Sequence, residues 1–119
     1  MAKYSENQLP LETVYSDIDY MDNYRDFTVD PVNYQGLSEF VDNLHNNSQH
    51  YIPILDAGVA MRKGYEAFED GVNRDIFIKN FDNQTVYTGQ MWPGDVAFPD
   101  WLNYHASEYW QDWLGKFYD

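Results

Sequence analysis

No cysteine occurs in this chain of 119 residues, which removes disulfide bonds, thiol nucleophiles and cysteine metal sites. Cationic side chains are scarce. Seven Lys and Arg stand against 20 Asp and Glu, a formal charge of −13. A surface of that sign repels nucleic acid and anionic lipid, which are both held through cationic contacts, so neither is an expected partner. No apolar run approaches the roughly 18 residues that span a bilayer. The opening stretch, Met1-Ala-Lys-Tyr-Ser-Glu-Asn-Gln8, has no apolar signal core. The histidines His45, His50 and His105 are scattered without ligand spacing, so no metal or other cofactor is expected.

What is present is enough apolar material for a core. Hydrophobic residues make up 44% and aromatics 18%, which argues against disorder despite the acid excess. The length suits one domain. Residues 1–8 read as the last turns of a helix, closed by Pro10. Leu11 to Met21 reads as a strand rich in β-branched and aromatic residues. A loop follows, and Leu37, Phe40, Val41 and Leu44 then give helical spacing over 36–46. Tyr51-Ile-Pro-Ile-Leu-Asp-Ala-Gly58 is a nearly continuous apolar run of the kind that forms buried parallel strands. Pro53 is awkward there, because it cannot donate to a ladder. Strand, helix and strand in this order make one βαβ unit.

A long excursion runs from 59 to 103. A helical turn is expected near 65–70, and strand-like pieces at 76–79 and 86–91 are turned by Asn80-Phe-Asp-Asn83. Residues 104–118 read as a helix capped by Asn103. Its stripe of Ala106, Tyr109, Trp110, Trp113, Leu114 and Phe117 is expected to pack in the core. Two glycosylation sequons occur, at Asn46 and Asn83.

The densest chemistry lies in Tyr15-Ser-Asp-Ile-Asp-Tyr-Met-Asp-Asn-Tyr-Arg-Asp-Phe-Thr28. Asp17, Asp19, Asp22 and Asp26 fall within ten residues, with Arg25 among them. The plainest reading is a solvated loop with local caps and one Arg25 ion pair. A calcium loop is excluded by the missing third oxygen ligand and the missing glycine. A sugar-binding role needs carboxylates that accept hydrogen bonds from adjacent hydroxyls, bonds that charge strengthens. Asp17 stands at the expected strand end. Pleat alternation puts Asp19 on the same face and does not choose between them.

This wording, Asp-Ile-Asp-Tyr-Met-Asp followed by Arg-Asp-Phe-Thr, resembles the strand-and-loop signature of glycoside hydrolase family 31, the α-glucosidases. Ile52-Pro-Ile-Leu-Asp56 is similar to the family's third barrel strand, with Ala57 where the family has Pro. Gly89-Gln-Met-Trp-Pro-Gly94 and Phe98-Pro-Asp100 resemble the Trp-Pro-Gly and Phe-Pro-Asp elements that follow it. The resemblance runs from about Tyr4 to Leu114.

It implies an α/β fold, a partial TIM (β/α)8 barrel. The chain would carry the second and third strands with their helices, and a β-containing insertion over 59–103. It implies substrate-binding roles for Asp17, which would hold a sugar hydroxyl, for Ile18 and Ile54 as pocket wall, for Asp56 in the polar network and for Trp92 beneath the ring. The implied partner is an α-glucoside oligosaccharide, and the implied compartments are secreted, lysosomal or endoplasmic reticulum.

In that family the nucleophile is an Asp at the end of the fourth strand, in a Trp-x-Asp-Met-type motif, and the motif of the acid/base lies further on. Neither motif occurs here, so no catalytic residue is assigned. The chain is expected to be an internal fragment of a retaining α-glucosidase, inactive alone. Its open strand edges await the missing barrel segments or self-associate. A stand-alone, catalytically inactive sugar-binding or acidic scaffold module is the alternative.

Overall fold

Thr13–Ser16 (β1) and His50–Pro53 (β2) pair in parallel, in register from Thr13 opposite His50 to Ser16 opposite Pro53. A computed structural model describes residues 1–118. The crossover between the two strands carries helix α2, Leu37–Asn46, which puts Leu44 in the interior. A short helix α1, Ala2–Glu6, precedes them. The amides of His50 and Ile54 donate to Glu12 and Ser16 at 2.8 and 3.0 Å. Even-numbered residues of β2 therefore face β1, and Pro53 points its missing N–H at the open side, where no ladder bond is lost.

Two sequence expectations are corrected here. The first strand runs over four residues, not over 11–21, because Asp17 stops it. Its Oδ1 accepts the amide of Ile18 at 2.7 Å and starts a 3₁₀ turn, Ile18–Tyr20, with a second turn at Asp22–Tyr24. Local side-chain bonds of Asp to the backbone compete with ladder pairing in this way. The second strand likewise stops at Pro53, short of Gly58.

A second, antiparallel sheet has the order β3-β5-β4, with β3 at Val59–Ala60, β4 at Gly89–Met91 and β5 at Gly94–Ala97. Trp92 and Pro93 form the two-residue turn between β4 and β5, closed by Gly94 at φ +100°. Strands β3 and β5 escaped the sequence reading. The pieces at 76–79 and 86–91 meet at a single bridge, Lys79 to Val86, around the Asn80–Asn83 turn.

The core lies between this sheet, helix α3 (Glu66–Asn73) and helix α4 (Tyr104–Tyr118). Ala106, Tyr109 and Trp113 of the stripe are buried against Val59, Ala60, Ala67, Ile76, Phe77 and Ala97. The stripe is core, as its spacing implies, although Leu114 is exposed. Asn103 caps α4, its Oδ1 accepting the His105 amide at 3.1 Å. Polar groups brace the two helices. The Tyr109 hydroxyl donates to the Ala67 carbonyl at 2.9 Å, Trp113 Nε1 donates to Asp70, and Arg74 joins Asp70 to Asp112.

The parallel pair is less covered. Each strand has one partner, and Tyr15, Ile52 and Ile54 stand exposed on it.

Candidate substrate site

Parallel strands deliver the residues that follow them to one end of the sheet, the end at which barrel enzymes build their sites. Asp17 follows β1 directly, and Ile54 follows β2 in the adjacent register position. Asp17, Ile18, Ile54 and Asp56 are thus brought to the same end of the parallel pair. Asp17 is exposed, held by its bond to the Ile18 amide. The Ile54 side chain is 39% exposed, while its carbonyl accepts the Tyr20 hydroxyl at 2.6 Å. That bond ties the turn after β1 to the end of β2. It also explains why Tyr20 is wholly buried in a polar loop.

The pleat argument that paired Asp17 with Asp19 does not apply, because the chain leaves the extended conformation at Asp17. Asp19 instead lines a separate hollow with Met21, Asn23, Tyr24, Asp30, Asn33 and Tyr34. Arg25 pairs with Asp22, the ion pair expected of this loop.

Asp26 is the residue that sequence reasoning missed. Its carboxyl is 1% exposed. Oδ1 accepts the Asp56 amide at 2.8 Å, across 30 residues of sequence. Oδ2 has no hydrogen-bond partner among the described residues, nor does the buried Oδ2 of Asp56. Burial pushes the Asp26 carboxyl up to about 7; the Asp56 amide opposes the rise and the Asp56 charge adds to it. Burial also raises Asp56, with the charge of Asp17 as the second cause. Asp17, Asp56 and Asp26 therefore form one electrostatic group. No sequence pattern separates Asp26 from its exposed neighbours. Its place between Arg25 and the apolar Phe27 is the only local hint.

Trp92 is 66% exposed at the tip of the β4–β5 turn. It lines an open groove with Asn23, Tyr24, Arg25, Arg62, Lys63 and Pro93. None of Asp17, Ile18, Ile54 or Asp56 lines that groove. The chain therefore gathers four of the five expected substrate residues and sets the Trp92 face on the neighbouring hairpin. An exposed carboxylate such as that of Asp17, beside an apolar wall, can grip adjacent hydroxyls, and an indole face can stack on a sugar ring. Among the described residues no group of three or more His, Cys, Asp or Glu is placed to hold a metal ion.

Comparison with known proteins follows the same line. The model of the glycosyl hydrolases family 31 TIM-barrel domain matches residues 1–119. An alpha-glucosidase of Schizosaccharomyces pombe is 45% identical over 120 residues, covering 93% of this chain and 12% of its own length. A probable alpha-glucosidase of Oryza sativa subsp. japonica is 44% identical over 119 residues, covering 98% of this chain and 13% of its own. Among solved structures, a glucosidase II alpha subunit superposes with a TM-score of 0.92 at 23% identity, covering 98% of this chain and 13% of that one. A family 31 alpha-glucosidase from Bacteroides thetaiotaomicron does so at 0.77 and 28% identity, covering 92% and 18%. The chain thus spans about one eighth of the length of the fungal and plant relatives.

Proposed function

The chain belongs to glycosyl hydrolase family 31, and on that footing we propose that it forms part of the catalytic barrel of a retaining α-glucosidase. In this reading β1 and β2 are the second and third barrel strands, α2 is the helix between them, and residues 59–103 are an insertion after the third. The parent reaction is release of terminal α-linked glucose from oligosaccharides. Relatives named alpha-glucosidases support that substrate class. The compartment follows the same kinship: secreted, lysosomal or endoplasmic reticulum.

The observation that carries the reading is the delivery of Asp17 and Asp56 to one end of a parallel strand pair. Asp17 accepts hydrogen bonds from a sugar hydroxyl, and Ile18 and Ile54 form the apolar wall. Asp56 completes the polar network, and Trp92 offers its face to the ring. These are holding groups. Retaining hydrolysis needs two carboxyls about 5–5.5 Å apart, one as nucleophile and one as acid/base. We assign that pair to barrel segments other than these 119 residues, because the Trp-x-Asp-Met-type motif that carries the nucleophile in the family does not occur among them.

Calorimetry with maltose and acarbose tests the site. Saturable binding that is lost in Asp17→Ala is expected. Pure 119-residue protein is expected not to turn over a chromogenic α-glucoside, and turnover at enzyme-like rates would defeat the assignment. Binding that survives Asp17→Ala unchanged would remove Asp17 from the site.

A further inference from the structure

Three elements converge on Asp26. Its Oδ1 accepts the amide of Asp56, at the end of β2. Its carbonyl accepts the hydroxyl of Tyr65, just before α3, at 2.6 Å. The next residue, Phe27, is held at φ +56° and packs on Trp110, Trp113 and Phe117 of α4, with ring centroids 5.0, 5.8 and 6.4 Å away. A bulky residue adopts that left-handed conformation only where its surroundings enforce it. The loop after β1 is therefore clamped at residues 26 and 27, and the clamp reaches Asp56 through one hydrogen bond.

Asp26 is sealed from solvent and cannot itself touch a sugar. Its reach into the site is through Asp56. We propose that Asp26 is the positioning residue of this site, holding the Asp56 main chain from beneath and fixing the direction in which Asp56 presents its carboxyl. The inference rests on the reading of Asp56 as a ligand-facing group. A capping bond inside a loop would leave the neighbouring element free. This one crosses from the first strand's loop to the second strand's end. It is also the only partner that Asp26 Oδ1 has among the described residues.

The groups facing Asp26 are few. Asp56 approaches from the segment after β2, Tyr20 from the first 3₁₀ turn, Tyr65 from just before α3 and Tyr109 from α4. Arg25 lies over the Tyr65 ring, 5.5 Å from its centroid, and is already paired with Asp22. The amide of Asp56 is thus the one group that hydrogen-bonds the Asp26 carboxyl among the described residues, and it ties that carboxyl directly to the site.

NMR on the 119-residue chain separates this role from plain packing. In the wild type the Asp56 amide proton is expected to shift with pH as Asp26 ionises, since a charged acceptor strengthens the bond. Asp26→Asn keeps an acceptor oxygen and removes the charge, so the step near pH 7 is expected to vanish while exchange protection and any step from the Asp56 carboxyl itself stay. Asp26→Leu removes the acceptor, and protection of that amide is expected to fall about tenfold at fixed pH. A step near pH 7 that persists unchanged in Asp26→Asn, or protection unmoved in Asp26→Leu, overturns the proposal. Should Asp26→Leu not fold, the Asn comparison decides alone.

Calorimetry adds the link to ligand. Asp56→Ala is expected to cost sugar affinity in the wild type and nothing further in Asp26→Leu, because the two act as one unit. Full additivity would overturn the role. If the wild type binds no sugar, the substrate reading fails, and the amide readout still decides whether Asp26 holds Asp56.

Discussion

Raising the pH from 5 to 8 should weaken this protein through Asp26, and Asp26→Asn should abolish most of that loss. The carboxyl is 1% exposed and is raised from an ordinary 3.8 to about 7 in the folded state. In the unfolded chain it returns to about 3.9. Between those values the native state binds a proton that the unfolded state has released, so unfolding free energy falls as pH rises. The contribution is fully present below about pH 4 and is lost as pH passes through 7. From pH 5 the remaining two pKa units at 1.36 kcal/mol each give a loss of about 3 kcal/mol by pH 8. For a domain of this size that corresponds to a Tm change on the order of 10 °C.

The chain's charge of −13 adds self-repulsion over the same range, which is why the comparison must be with the variant. Asn keeps the shape and the Oδ1 acceptor for Asp56. The assay is urea unfolding of both proteins at half-unit steps from pH 4.5 to 8. The two stability curves should converge at the acid end. The wild type should then drop away steadily from Asp26→Asn as pH rises and level off just above pH 7. Parallel curves over the whole range would refute the reasoning, because they would mean that Asp26 is ionised without cost.

Two further outcomes follow from packing and topology. A Cβ at Gly71 would clash with the Phe77 ring, and Phe77 is fixed between Phe68 and Tyr109. Gly71→Ala should therefore cost about 1–2 kcal/mol net, overpacking outweighing the gain in helix propensity, read as a lowered urea midpoint. The parallel pair carries exposed Tyr15 and Ile52, with one partner per strand, so the isolated chain should self-associate. Light scattering after size exclusion at rising concentration checks this, and a monodisperse monomer that melts cooperatively would count against it.

Where periodicity was strong, the sequence was legible. Ala106, Tyr109 and Trp113 repeat every three or four residues, and they are the buried face of α4. Leu37, Phe40, Val41 and Leu44 likewise mark the crossover helix. The strands were harder to bound, because their ends are set by single side chains. Asp17 halts β1 by accepting the Ile18 amide, a choice that β-propensity over 11–21 cannot register. Strands β3 and β5 are made of Val59–Ala60 and Gly94–Ala97, too short to show alternation, and they pack in the core with residues of α3 and α4.

The acid cluster shows the same limit at the level of chemistry. On paper Asp17, Asp19, Asp22 and Asp26 are four equivalent carboxyls. In the fold they do four different things. Asp17 starts a turn at the strand end, Asp19 edges a separate hollow, Asp22 pairs with Arg25, and Asp26 is buried. What distinguishes them is the partner each finds across the chain, and for Asp26 that partner is 30 residues away. A motif match can name Asp17 because the family writes it in one line of sequence. The support beneath Asp56 is written in two lines that only folding brings together. Substitutions at Asp26 should therefore be felt at the end of β2 rather than in the loop that contains it.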